Sequence, residues 1–279
     1  MPRSRPFAQV DVFSREPYRG NPVAVILDAE GMDAAGMQRL ARWTNLSETV
    51  FVLPPTVAEA DYRLRIFTPT GELPFAGHPT LGAARAWLDP GGAGHDGGRI
   101  VQECAAGLVE LRQEGELLSF AAPALLRTGP LDEAHLRRIA AACGIARERI
   151  VDHQWVDNGP GWAAIRLATA AEVLDLDPDL AAIPDAMLGV IGAHPEGSPH
   201  AFELRAFAPA AGVPEDPVTG SLNASVAQWL TGAGEAPERY TVSQGARQDR
   251  AGEIVIAVDE GVVWVGGATT VCIRGAVAV

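Results

Sequence analysis

The amino-acid sequence predicts an α+β protein made of two similar lobes, and three observations predict it. Short runs with strand character outnumber helical ones along the chain. Two helical runs, ending at Leu88 and Leu230, are apolar on nearly every side, so they belong in a core rather than on a surface. The third observation is a repeat. Residues 67–88, FTPTGELPFAGHPTLGAARAWL, and 207–230, FAPAAGVPEDPVTGSLNASVAQWL, share one plan of strand end, Pro/Gly-rich loop and apolar helix. Arg65, Phe67 and Pro69 recur 140 residues later as Arg205, Phe207 and Pro209. Gly77-His78 matches Gly220-Ser221 at an offset of 143, and Trp87-Leu88 matches Trp229-Leu230 at 142. Pro55/Pro195 and Gln102/Gln244 extend the register on both sides. The offset is about half of the 279 residues, so the sequence reads as an internal duplication with lobes at 1–125 and 126–279. The last strand is a candidate to cross back to the first lobe.

The elements follow in order. Residues 8–13 and 23–27 have strand character and flank the turn-rich SREPYRGNP, in which Asn21 serves a Gly-Asn-Pro turn or offers a polar group to a site. Asp33 caps a helix to about residue 43, with Met37, Leu40 and Ala41 on one face. Glu48 stands at the mouth of the buried-type strand 49–53, where partial desolvation favours general acid–base work. Residues 62–67 form the strand that enters the first loop. Pro79 suits the first position of the helix that follows, which places His78 at its N-cap, and Asp89-Pro90 stops it. His95 falls in an exposed Gly/Asp loop, GGAGHDGG. Residues 100–111 and 117–121 form a hairpin, and 125–131 read as the linker. An amphipathic helix at 131–143 opens on Asp132-Glu133. Strands at 150–156 and 162–167, a short helix at 170–174, and strands at 187–193 and 202–207 lead to the second loop. Strands at 240–244, 254–258, 262–266 and 270–273 complete a β-rich end.

Composition narrows the function. The chain is 47% hydrophobic and 20% charged, with a net charge of −13, which argues against nucleic acid or an anionic membrane as a partner. A small anionic substrate is compatible with that charge, since local fields differ from net charge. Cys104, Cys143 and Cys272 show no paired spacing and read as reduced core thiols of a cytoplasmic protein. No segment reads as a signal peptide or a bilayer span. The Ser elbow of hydrolases, the phosphate loop and the HExxH metal helix are all missing, and His78 with Asp216 makes a poor metal set.

The repeat breaks its symmetry in its polar residues. Glu48 corresponds to Leu188, Asp216 to Ala76, and His78 to Ser221. The two helix mouths therefore contribute different groups, and a shared cleft would hold Glu48, His78, Asp216 and Ser221 beside two helix N-termini. Helix ends bind a carboxylate, while carboxylate and imidazole side chains move protons. That inventory suits proton abstraction next to a carboxylate. As a cap residue, Ser221 can equally serve capping alone.

GNPVAVIL (20–27), NLSETVFV (45–52), FTPTGELPFAGHPTLG (67–82), EDPVTGS (215–221) and SQG (243–245) resemble the PhzF-like family of phenazine biosynthesis, whose fold is that of diaminopimelate epimerase. The resemblance implies two lobes, each a mixed sheet wrapped round a central helix, with the active site between them. It implies an isomerase that uses no cofactor and no metal, acts on a small carboxylate and often forms a homodimer. Glu48 matches the family's proton-shuttling acid, and His78, Asp216 and Ser221 match its supporting polar residues. Asn21, Gly77, Thr219 and Gly220 are the expected substrate-binding positions. The epimerase relatives use paired cysteines in the two loops, and this chain has none there. A racemase or epimerase of a small acid is the alternative enzyme, and a carboxylate-binding protein without turnover is the alternative outside enzymes.

Overall fold

The computed structural model describes residues 3–93 and 98–279, so His95 lies outside the described residues. The chain divides into two units, Met1–Ala121 with Gly266–Val279, and Ala122–Val265. The first unit contains β1 (Ser4–Val12), β2 (Asn21–Ile26), α1 (Ala34–Thr44), β3 (Thr49–Leu53), β4 (Tyr62–Phe67), β5 (Glu72–Leu73), α2 (Gly77–Leu88), β6 (Arg99–Cys104), β7 (Gly107–Glu114) and β8 (Leu117–Ala121).

Its strands neighbour one another in the order β1-β2-β3-β4-β6-β7-β8, with β5 on β4. The pairs β2–β3 and β4–β6 are parallel and the others antiparallel, so the sheet is mixed. The last strand of the chain pairs with β1 from Ser4↔Ala278 to Val12↔Thr269 and also neighbours β8, which closes this sheet on itself. Helix α2 packs against β1, β2, β3, β4 and β8. Its residues from Gly77 to Ala84 are all buried, as its all-round apolar character demands. Gly82 permits the packing, because a Cβ there would sit 2.3 Å from Val23 Cγ1 on β2. On the other face of the sheet, Asp33 caps α1 by accepting the Gly36 N–H at 2.6 Å. Met37 and Ala41 of α1 join Ile26, Phe51 and Phe67 in a cluster, each large side chain contributing about 1.5–3 kcal/mol by leaving water.

The second unit contains α3 (Glu133–Ala142), β9 (Asp152–Trp155), β10 (Ala163–Thr169), α4 (Ala170–Leu174), β11 (Leu188–Ala193), β12 (Phe202–Ala208), β13 (Val213–Asp216), α5 (Gly220–Gly232), β14 (Arg239–Gln244), β15 (Gly252–Asp259) and the start of β16 (Val262–Ala278). Its order is β9-β10-β11-β12-β14-β15-β16, with β13 on β12. From β9 to β15 the pairs run antiparallel, parallel, antiparallel, parallel, antiparallel, the succession seen from β1 to β7. Helix α5 is buried from Gly220 to Ala227, like α2. A core of Leu136, Ile139, Ile165, Leu167, Val173, Leu188, Val190 and Phe207 fills the space under α3 and α4. The fold is α+β, as the sequence predicts.

Two expectations are corrected. Residues 262–266 and 270–273 are not separate strands but parts of one seventeen-residue strand, β16. The sequence reading ends the first of them at Gly266, yet a Cβ there would lie 2.6 Å from the Leu118 carbonyl oxygen, so the glycine marks a close backbone approach within the first unit. Residues 100–111 are not one strand either. They turn between Cys104 and Gly107, where Gly107 adopts φ +109°, giving two hairpins in place of one. Residues 125–131 belong to the second unit, where the Leu126 and Arg127 N–H groups donate to the Asp157 carbonyl at 2.7 and 3.3 Å. Among the described residues no helix is long and apolar enough to cross a membrane, and all three cysteines are free thiols.

Candidate functional site

The parallel pairing of β2 and β3 places the starts of both strands at one end of the sheet. Asn21 opens β2 and Glu48 immediately precedes β3. Helix α2 presents its N-terminus to the same residues. It begins at Gly77, and Ala76 is its N-cap in an extended conformation. His78 is thus the second helical residue and Pro79 the third, not N-cap and first. The reason is that the Ala76 carbonyl already accepts the Thr80 N–H at 3.3 Å, and proline fits any first-turn position, where no N–H has an intrahelical partner. Alanine offers no side-chain oxygen, so α2 has no side-chain cap.

His78 is 4% exposed. Its Nε2 lies 3.5 Å from Glu48 Oε2, and its Nδ1 lies 3.3 Å from Asn21 Nδ2. Ser47 Oγ, in turn, approaches Asn21 Oδ1 at 3.5 Å. Burial drives the imidazole down to about 3 from its ordinary 6.5, against a smaller opposing pull from the Pro22 carbonyl. The ring is therefore neutral at pH 7, and its approach to Glu48 is that of a carboxyl group and a neutral imidazole, not an ion pair. Such a pair can pass a proton in either direction.

In the second unit, Asp216 ends β13 and Thr219 is the N-cap of α5. The Thr219 hydroxyl makes no cap bond; it donates to Asp216 Oδ2 at 2.6 Å. Gly220 and Ser221 are the first two helical residues, in the places that Gly77 and His78 take in α2. Ser221 is therefore not a cap, contrary to the capping reading of the sequence. Its Oγ accepts the Trp162 indole N–H at 3.2 Å, and its carbonyl accepts Asn158 Nδ2 at 2.8 Å. Neither helix start is closed by a side-chain cap, so the first N–H groups of each, those of Gly77 and His78 in α2 and of Gly220 and Ser221 in α5, suit an anion.

The structure brings Asn21, Glu48, Gly77 and His78 together in the first unit, and Asp216, Thr219, Gly220 and Ser221 together in the second. Sequence reasoning missed Asn158 and Trp162, which lie in and just after Asp-Asn-Gly-Pro-Gly and read as turn and strand start. It also missed Gln244, whose side chain reaches Asp216 and Thr219. The available signal was a glutamine recurring in register with Gln102. Among the described residues no cluster of three or more His, Cys, Asp or Glu could hold a metal ion.

The family model described as "Phenazine biosynthesis-like protein" matches residues 10–279. The chain is 39% identical to antisense-enhancing sequence 1 of Schizosaccharomyces pombe, over 96% of this chain and 97% of that protein. It is 35% identical to the trans-2,3-dihydro-3-hydroxyanthranilate isomerase of Pseudomonas aeruginosa, over 91% of this chain and 94% of that one. The crystal structure of a PhzF-family phenazine biosynthesis protein from Enterococcus faecalis superposes with a TM-score of 0.81 at 25% identity, covering 99% and 100% of the two chains. Relatives that share this fold over most of their length are named isomerases, and the chain is an enzyme of that class. Within that class, the chain belongs to the phenazine biosynthesis-like, or PhzF, family.

Proposed function

We propose that the protein moves a proton from one carbon of a small carboxylate to another position on the same molecule, without a cofactor. The observation that carries this reading is the 3.5 Å approach of Glu48 to a buried, neutral His78 at the mouth of α2. Glu48 takes the proton from carbon and returns it elsewhere on the substrate, while the double bond shifts to keep the electrons balanced. His78 orients or relays. Asp216 and Ser221 are the further catalytic residues of this reading, and Asn21, Thr219 and the amides of Gly77 and Gly220 its substrate-binding groups. Trans-2,3-dihydro-3-hydroxyanthranilate, named in a relative of 35% identity, is the first substrate to try.

Glu48→Gln should lower turnover by about 10²–10⁴-fold, the usual share of a positioned acid–base group. Full turnover in that variant would overturn the assignment. A two-thiol racemase reading has no support in the thiol positions: Cys104 ends β6, Cys143 follows α3 and Cys272 lies in β16. A protein that binds carboxylates without turnover would show thermal shifts with no product and no deuterium uptake in D₂O. We also assign the two units to one duplicated ancestor, on their shared succession of strand pairings, and expect a cytoplasmic homodimer, which sedimentation would test.

A further inference from the structure

We infer that Gln244 is a positioning residue that fixes the direction of the Thr219 hydroxyl, so that its proton is held on Asp216. Gln244 ends β14 in the SQG segment and is 2% exposed. Two backbone partners set its amide. Oε1 faces the Thr219 N–H at 3.0 Å, a group that only donates, and Nε2 faces the Asp216 carbonyl at 3.1 Å, a group that only accepts. The amide therefore has one orientation. In that orientation Nε2 also donates to Thr219 Oγ1 at 3.0 Å, and Oε1 accepts from Asn223 Nδ2 at 3.0 Å, which uses all four hydrogen-bonding positions of the side chain. Because Thr219 Oγ1 accepts a hydrogen bond from Gln244 Nε2, its own O–H points elsewhere, and it donates to Asp216 Oδ2 at 2.6 Å.

The first unit separates scaffold from positioning. There Gln102 Nε2 donates to Thr80 Oγ1 at 3.0 Å and Tyr62 OH donates to Gln102 Oε1 at 3.2 Å, which secures the helix. The N-cap that corresponds to Thr219 is Ala76, which has no hydroxyl, and Leu73 takes the strand position of Asp216, so that glutamine directs no hydroxyl at an acid. Gln244 keeps the scaffold task and adds the alignment of an acid. Gly245 maintains the approach: it adopts φ +98°, and a Cβ there would meet the Pro217 carbonyl oxygen at 2.7 Å.

This inference rests on the proposed role of Asp216, and the test separates the two. Gln244→Glu replaces the donating N–H pair with acceptors and gives the Thr219 hydroxyl a second carboxylate to face. In the full chain, acting on trans-2,3-dihydro-3-hydroxyanthranilate, kcat should fall about 10- to 100-fold, the range of one hydrogen bond to a charged group, with KM little changed. Thr219→Val should fall as far, and Thr219→Ser should restore most of the rate. The Q244E/T219V double variant should be no slower than the slower single variant, since both break one alignment. Wild-type kcat in Q244E, or losses that multiply in the double variant, would overturn the inference. If Q244E does not fold, the T219V and T219S pair decides: equal rates in these two variants overturn it. If the wild type shows no turnover, or E48Q keeps it all, the functional reading fails instead. The positioning is then read by NMR from the Thr219 hydroxyl proton, whose solvent exchange should speed at least about tenfold in Q244E. Equal exchange in both proteins refutes it.

Discussion

The repeat supplies a matched pair of ion pairs that differ in burial, and replacing each arginine by methionine tests how much burial matters. Arg205 forks onto Glu215 with two bonds of 2.8 Å, lies 4.8 Å above the Phe207 ring, and donates to the Leu176 and Val173 carbonyls at 2.6 and 3.2 Å. Arg65 forks onto Glu72 with two bonds of 2.7 Å and lies 5.1 Å above Phe67. The Arg205 side chain is 5% exposed and that of Arg65 27%. Arg205→Met leaves a mostly buried carboxylate and two carbonyls without their donors, a loss of about 3–5 kcal/mol. Arg65→Met exposes its partner to water and should cost only about 0–1 kcal/mol. Urea unfolding followed by circular dichroism reads both. The double variant R205M/E215L should recover part of the R205M loss, because it removes the stranded charge along with the guanidinium. Costs for R205M and R65M within about 1 kcal/mol of each other would refute the argument that burial, and not geometry, sets the worth of these pairs.

Two titrations should bend the stability curve in opposite directions. Burial holds His78 near 3, below its ordinary 6.5, so its contribution is complete above pH 6.5 and is lost as pH falls toward 3; His78→Asn should flatten that limb of the urea midpoint. Burial raises Glu203 from 4.5 to about 7, against the opposing Ser243 hydrogen bond and the attraction of the Arg205 charge, so stability falls as pH rises through that window. Glu203→Gln should remove this decline, and an unchanged slope would refute it. Gly266→Ala should cost about 1–3 kcal/mol by forcing a Cβ to 2.6 Å from the Leu118 oxygen, and a neutral result would show that the neighbouring strand yields.

Much of this was legible in the chain because burial and chemistry coincide at the two loops. The all-round apolar character of α2 and α5 placed them in cores, and the lack of an acid matching Glu48 or Asp216 in the other half of the repeat pointed to chemistry instead of folding. Other features were hidden by ambiguity in local signals. Pro79 tolerates any first-turn place, so the start of α2 was misjudged by two residues. Gly266 looks like a strand breaker, but what requires it is a neighbour 148 residues earlier, Leu118, which no local pattern reveals. Gln102 and Gln244 sit in alternating strands, where a polar residue ordinarily faces water. Only the three-dimensional fold shows each turned inward to hold a helix.

The division of β16 bears on how the protein is made. The first unit needs Gly266–Val279 to pair with β1, whereas the second occupies one unbroken stretch from Ala122 to Val265. On the ribosome, β1 emerges well before the residues that pair with it, and it remains an open edge in the interval. The later-made unit is the one able to complete itself first. The order of synthesis and the order of completion are thereby reversed, and a pause during translation beyond residue 121 lengthens the time for which that edge stays unpaired.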